Sequence, residues 1–366
     1  MSITLYRKYR PQQFKDVVGQ NHINIILENE IILNKLAHAY LFSGPRGTGK
    51  TTMARIFAKS LNCQNRKNNS AEPCGICNSC KEIENGHSID VIEIDAASHT
   101  GVDNVRENII ENSRFAPTYS PYKIFIIDEA HMLSIAAFNA LLKTLEEPPS
   151  YVVFILATTE IHKMPATIVS RCQRFDFKKI PADILINRLK QLAAKENIKV
   201  SKDVLNVIAQ HSDGCLRDAE SLLGQVLTLS NGKKEITLDE ASLVLPHTDI
   251  ILVGDFVELL LKKDGRAALE FISKIVGEGL EVNEFFNDLI KFFRALIWYK
   301  IANDLKFVSF VFDEGKRMNL LNLVNNKKTE ELMNILEILL EKKALIGQTQ
   351  IAELPLELAA IKICAL

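Results

Sequence analysis

No run of apolar residues in this sequence is long enough to cross a membrane, which excludes a membrane-spanning helix. The opening residues, Met1-Ser2-Ile3-Thr4, have no export-signal pattern, so a cytoplasmic location is expected. Neither sign of charge is in excess: 44 Lys and Arg against 45 Asp and Glu leave a formal net charge of −1. That balance excludes a polycation that grips nucleic acid unaided. Any DNA contact must come from a local patch or be shared with partner subunits. Low-complexity linkers and strict internal repeats are missing, and so is an acidic triad on a palm-like pattern, so polymerase chemistry is not expected of this chain. What remains, 47% hydrophobic and 24% charged residues over 366 positions, is the composition of a globular protein of two or three domains.

The most informative stretch is Gly44-Pro45-Arg46-Gly47-Thr48-Gly49-Lys50-Thr51, which fits GxxxxGK[ST]. Ala39–Ser43 before it reads as a buried strand. Thr51–Leu61 after it reads as a helix with Met53, Ile56, Phe57 and Leu61 at helical spacing. A glycine-rich turn between strand and helix lets backbone N–H groups converge on phosphates. Lys50 adds a point charge there, and the Thr51 hydroxyl is placed to ligate Mg²⁺. The alternative, an ordinary glycine-rich turn, is disfavoured by the flanking elements. A second element, Ile124-Phe125-Ile126-Ile127-Asp128-Glu129-Ala130-His131, is an apolar strand ending in two carboxylates. In those positions Asp128 would hold Mg²⁺ through water, and Glu129 would orient or deprotonate the attacking water. Two merely solvated acids are the bland alternative. Both elements together predict a nucleoside triphosphatase.

Four of the seven cysteines lie close together: Cys63, Cys74, Cys77 and Cys80. Reduced thiols in this spacing ask for a metal rather than disulfides. The polar segment between Cys63 and Cys74 cannot order itself by burying apolar surface, and a structural zinc would supply the missing order. An iron–sulfur cluster is the rival, but no Cys-Pro follows and no other redox motif is present.

Strand-like segments at Ala39–Ser43, Val91–Asp95, Ile124–Asp128, Val152–Ala157 and Arg174–Phe177 alternate with helical patterns such as Ile135–Glu147. This predicts an α/β domain with a parallel sheet between helices up to about residue 179. Beyond that the pattern is helical: Asp183–Lys195, Lys202–His211, Leu216–Leu229 and Leu238–Val244 make a small helical domain. After Pro246 a third, all-helical segment carries Phe285, Phe286, Phe292, Phe293 and Trp298 as core or oligomer-interface residues. Arg7–Phe14 is basic and aromatic and shows no periodicity. Thr158, at the exit of the Val152 strand, is placed either to contact the γ-phosphate or attacking water or simply to cap the strand. Arg171 follows a short helix at the sheet edge, where it is either a surface salt bridge or a finger aimed at a neighbouring subunit's nucleotide. Arg217 opens a helix of the second domain, from which it can fold back over the phosphates.

The combination Arg7-Lys8-Tyr9-Arg10-Pro11…Phe14…Gly19-Gln20, the phosphate loop, the four cysteines, Asp128-Glu129-Ala130-His131, Asn139–Pro149, Ser170-Arg171-Cys172 and Leu216-Arg217-Asp218-Ala219 resembles the AAA+ clamp-loader ATPases. More narrowly it is similar to the bacterial DNA polymerase III gamma/tau family, strongly to about residue 225 and at pattern level beyond. The resemblance implies an AAA+ P-loop ATPase domain over 1–179, with a five-stranded parallel sheet, helices on both faces and a zinc module inserted at 63–80. It further implies a helical lid over 180–243 and an all-α collar for oligomerisation over 244–366. It assigns Arg10, Pro11 and Val18 to the adenine side, and Gly44 through Thr52 to ATP and its phosphates. Thr51 and Asp128 would serve Mg²⁺, Glu129 water, Thr158 sensor 1 and Arg217 sensor 2, with Arg171 acting in trans. Implied partners are the delta and delta-prime subunits, other copies of itself, a sliding clamp and primed DNA; membrane is not among them. Arg106, on the helix after Gly101, is the residue considered for a phosphate contact with DNA, against a solvated helix face. The spacing from Cys63 to Cys74 is slightly longer than the family pattern, and the chain ends about where the collar should, so a gamma-like form is expected. Two other functions stay in view: a replicase scaffold with a structural nucleotide site, and a different AAA+ DNA-processing motor. Intact Lys50, Glu129 and Arg171 argue against the first, and the cysteine cluster and collar-like segment against the second.

Overall fold

The computed structural model describes residues 4–98, 101–230, 235–241, 244–245, 250–303 and 314–365. Its centre is a sheet of β1 (Ala39–Ser43), β2 (Val91–Asp95), β3 (Lys123–Asp128), β4 (Val152–Thr158) and β5 (Gln173–Asp176), all parallel, in the order β2-β3-β4-β1-β5. The inner strands β1, β3 and β4 are near-continuous apolar runs because each residue finds a helix on its side, whereas the edge strands β2 and β5 are mostly not buried. Tyr40, Phe42, Ile124, Ile126 and Ile155 face one way, against helices Asn21–Leu33 and Lys50–Leu61. Leu41, Phe125, Ile127, Phe154 and Leu156 face the other, against Ile135–Glu146 and the segment carrying Val105 and Ile109. Phe125 and Phe154 stack across the strands at 5.4 Å, each burial contributing about 1.5–3 kcal/mol. Ser134 caps the Ile135 helix by accepting from the Ala137 N–H, and Pro148-Pro149 follows its end at Glu146.

The order sets β1 between β4 and β5, with β3 next to β4. The carboxyl ends of β1, β3 and β4 therefore lie side by side, where parallel sheets take their ligands. Ser43 pairs in register with Thr158, and Asp128 lies across from Asp95.

Helices Ala182–Lys195, Lys202–His211 and Leu216–Thr228 gather a separate core of Leu185, Leu189, Ile208, Leu223 and Val226. A short parallel pair, Lys199–Val200 with Glu235–Ile236, closes this bundle. Of the helix expected at Leu238–Val244, Leu238–Ala241 is helical, and residues 242 and 243 lie outside the described residues. The aperiodic basic segment is built as a helical turn, Leu5–Lys8, followed by a 3₁₀ turn at Phe14–Asp16. Lys8 Nζ and Tyr9 Oη both donate to Glu196 Oε1, at 2.7 and 2.6 Å, and Leu5 joins the bundle core. All of this belongs to one compact unit, Met1–Leu245.

The second unit, Pro246–Leu366, is helical among its described residues: Ile250–Lys262, Gly265–Gly277, Val282–Ala302, Glu314–Asn326, Thr329–Lys343 and Leu354–Cys364. Phe285, Phe286, Phe292 and Phe293 are core, whereas Trp298 is 46% exposed. No helix among the described residues is long and apolar enough to cross a membrane.

Candidate nucleotide-binding site

The turn between β1 and the Lys50 helix is held from three sides. Gly44 donates to the Thr158 carbonyl at 3.2 Å with φ of 145°, and a Cβ there would meet the Phe177 carbonyl oxygen at 2.3 Å. At Gly47, φ is 70° and a Cβ would fall 2.1 Å from Cys215 Sγ. The Gly47 carbonyl also accepts the Leu216 N–H at 3.1 Å, so the loop meets the first residue of the Leu216–Thr228 helix backbone to backbone. Only glycine permits both the conformation and the approach. Thr48 Oγ1 donates to the Pro45 carbonyl at 2.8 Å, tightening the turn.

Lys50 is buried, and its Nζ donates to the carbonyls of Gly44 and Pro45 at 2.7 and 2.8 Å. Burial lowers its pKa, while the nearby carboxylates of Glu129 and Asp128 pull the other way. Thr51 Oγ1 donates to Asp128 Oδ2 at 2.7 Å, and Asp128 Oδ1 accepts the Glu129 N–H at 3.0 Å. Glu129 has left-handed backbone, φ 47° and ψ 44°, a strained conformation for a non-glycine residue that costs on the order of 1–3 kcal/mol. That turn brings its carboxylate within 3.0 Å of Thr159 Oγ1, which donates to it.

Arg10, Pro11, Arg46, Gly47, Gly49, Lys50, Thr51, Thr52, Asp128, Glu129 and Arg217 line a single cleft together with Tyr6, Leu216 and Glu220. Sequence-predicted residues from the N-terminal segment, the phosphate loop, β3 and the lid helix thus converge. Desolvation lowers the Arg10 pKa, as does the nearby Arg55 charge. The Arg217 guanidinium lies 4.9 Å from the centre of the Tyr6 ring, a cation–π distance. Hydrogen bonding by Thr4 and Arg217 brings the Tyr6 phenol down to about 8. Glu220 is buried; desolvation raises its pKa, and Arg188, 3.4 Å away, offsets part of the rise.

Other expected residues lie elsewhere. Val18 does not line this cleft; it packs against the helical-bundle core instead. Thr158 is fully buried, its Oγ1 accepting the Glu160 N–H at 3.0 Å with His131 Nδ1 at 3.1 Å. Arg171 stands apart, donating through Nη1 to the Thr167 carbonyl at 2.7 Å and through Nη2 to Glu146 Oε1 at 2.5 Å. Arg106 is exposed at the start of a π-helical stretch, Arg106–Glu111. Of four residues that sequence reasoning missed, Tyr6, His131, Thr159 and Glu220, the first and last enter only through tertiary placement. Thr159 and His131 did carry a signal, each lying next to or within a motif already singled out.

Cys63, Cys74, Cys77 and Cys80 bring their sulfurs within 4.8 Å of one another, with Cys74 and Cys80 at 3.9 Å. A tetrahedral Zn²⁺ with bonds of about 2.3 Å sets its thiolates about 3.8 Å apart, so the cluster fits zinc. Burial opposes ionisation of Cys74, but N–H groups of Ile76 and Cys77, at 3.5 and 3.3 Å, outweigh it and hold the thiol down to about 6. Burial pushes Cys80 and Cys63 up. The module is also tied to the segment leading into the cleft. Glu72 accepts the N–H groups of Phe14 and Lys15 at 2.9 Å each, and Gln13 Nε2 donates to the Pro73 carbonyl at 3.0 Å.

Comparison with known proteins covers nearly the whole chain in three consecutive parts. Residues 19–181 match the family described as DNA polymerase III, delta subunit. Residues 185–232 match the DNA polymerase III clamp loader subunit, ATPase lid domain, and 236–366 match DNA polymerase III subunits gamma and tau domain III. The DNA polymerase III subunit tau of Bacillus subtilis is 43% identical over 362 residues, 98% of this chain and 63% of that protein. The DNA polymerase III subunit gamma of Buchnera aphidicola is 40% identical over 345 residues, 92% of this chain and 91% of that one. This chain therefore spans nearly all of a gamma relative but under two thirds of a tau relative. Among solved structures, the Thermotoga maritima RuvB Holliday junction branch migration motor superposes with a TM-score of 0.50 at 17% identity, over 69% of this chain and 79% of its own, a likeness of fold alone.

Proposed function

The chain belongs to the DNA polymerase III gamma/tau family of AAA+ clamp-loader ATPases, and from that premise we propose that it is the ATP-hydrolysing motor subunit of a bacterial clamp loader. In this reading ATP binding drives opening of a sliding clamp and gripping of primed DNA, and hydrolysis releases the closed clamp. Delta, delta-prime and further copies of this chain complete the assembly through the collar, Pro246–Leu366, in the cytoplasm. A three-part division into ATPase, lid and collar at about residues 179 and 243 accompanies it.

The observation that carries the reading is the closed set of contacts at the strand ends. Thr51 Oγ1 lies 2.7 Å from Asp128 Oδ2, with Glu129 turned to Thr159 beside them. Thr51 and Asp128 would hold Mg²⁺, which would supply positive charge against the phosphates. Lys50 and the loop N–H groups from Arg46 to Thr52 bind the phosphates. Arg10 and Pro11 lie towards the base. Glu129 orients the attacking water and accepts its proton; Thr158 and Arg217 report the terminal phosphate. A scaffold with an idle site would have no use for the strained Glu129 backbone. Glu129→Gln should therefore leave ATP affinity within about twofold while cutting turnover by about 100-fold or more, the share of a positioned general base. Equilibrium binding beside phosphate release checks this, and unchanged turnover would favour the scaffold.

We assign zinc to Cys63, Cys74, Cys77 and Cys80 as a structural ion. Metal analysis should find one zinc per chain. Chelation should open the 64–73 segment to proteolysis while the sheet stays folded, because its five strands are held by pairing with one another. Bound iron with visible absorbance, or no metal at all, would contradict it.

A further inference from the structure

Among the described residues, the His131 side chain lies against both Glu129, just past β3, and Thr158, at the end of β4. Its ring is buried, with the side chain 6% exposed. Nδ1 lies 3.1 Å from Thr158 Oγ1 and 3.5 Å from Glu129 Oε2, and Nε2 lies 3.4 Å from Glu160 Oε1. The position follows from local structure. The left-handed Glu129 starts a 3₁₀ turn, Ala130–Met132, which swings the imidazole back under the strand ends. Glu160 holds the far side of the ring and is itself anchored by Lys163 Nζ at 2.8 Å.

The hydrogen-bond capacity at Thr158 is limited. Its oxygen already accepts the Glu160 N–H, which leaves one proton and one lone pair. His131 Nδ1 takes up one of these; a phosphate oxygen that accepts the Thr158 proton leaves only the lone pair for the imidazole, which must then donate from Nδ1. Glu129 is the imidazole's other neighbour on that edge. Thr158 and Glu129 make no direct contact among the described hydrogen bonds, and the imidazole is the shared partner between them.

We propose that His131 is a positioning residue that couples Thr158 to Glu129, so that engagement of Thr158 by the terminal phosphate aligns the carboxylate that activates water. This rests on the ATPase function proposed above. A polar group at the place of Nδ1 is needed for the coupling; a side chain that only fills the space is not enough.

The test uses the full chain assembled with delta, delta-prime, clamp and primed DNA, comparing His131→Asn, His131→Gln and His131→Leu. The Asn amide reaches the place of Nδ1, whereas the Gln amide reaches that of Nε2. ATP affinity, read with a fluorescent analogue, should stay within about twofold in all three. Turnover at saturating ATP should fall about 10–100-fold in the Gln and Leu variants, the effect of a misplaced reacting group, and Asn should recover to within a few-fold of wild type. Equal turnover in Asn and Gln variants, or wild-type turnover in Gln, overturns the coupling. The Asn–Gln comparison stands even where Leu fails to fold. Failure of the wild-type assembly to turn over ATP would instead count against the motor function itself.

Discussion

Replacing Arg171 with Ala should slow ATP hydrolysis by the assembled complex about 1,000-fold or more, the range of a finger supplied in trans, while ATP binding by the isolated chain is unchanged. Arg171 sits beyond the end of the short helix Ala166–Val169, away from its own chain's cleft. It is fixed there by the Thr167 carbonyl and by Glu146 from the neighbouring helix. As a surface ion pair, 33% and 49% exposed on its two sides, it would stabilise the fold by only about 0–1 kcal/mol. Its loss would then go unnoticed in kinetics. The two accounts are therefore separated by the assembled enzyme alone. Arg171→Lys should not restore turnover, because an ammonium cannot reproduce the planar fork that contacts a phosphoryl group in the transition state. Normal turnover by assembled Arg171→Ala rings would reduce Arg171 to the ion pair.

Lys50→Ala should weaken ATP binding by about 100-fold or more, because each charge-assisted hydrogen bond it makes to phosphate contributes about 1.5–3 kcal/mol. The side chain is buried, so the lost charge is not replaced by bulk solvent, and the Gly44 and Pro45 carbonyls lose their donor as well. Titration calorimetry gives the affinity, and thermal unfolding shows whether the loop's own stability fell with it. Wild-type affinity in a folded Lys50→Ala chain would mean that the cleft is not the nucleotide site.

The parts of this protein that were legible in sequence are those whose physics is local. β1, β3 and β4 are apolar on both faces, so composition alone marks them, and the observed bounds differ from expectation by a residue at most. The phosphate loop and the four cysteines announce themselves by spacing. Helix Asn21–Leu33 was not expected, because its isoleucines lie on several faces; Ile25, Ile26 and Ile32 remain exposed and blur the period. Helix Glu314–Asn326 lies within the segment expected to be helical, though the pattern does not delimit it. Tyr6 and Glu220 could not be read, since they reach the cleft from segments far from the phosphate loop, and the His131 bridge depends on the ends of two separate strands meeting. Val18 packs against the helical-bundle core, a placement that only tertiary structure shows.

The central claim is that this chain turns over ATP in the service of clamp loading. Steady-state ATP hydrolysis by the purified chain, alone and then with delta, delta-prime, sliding clamp and primed DNA, tests it most directly. Basal turnover should be low and rise sharply only with the full set. Turnover indifferent to clamp and primer would contradict it and point to another AAA+ role, and ATP bound without any turnover would leave only a scaffold.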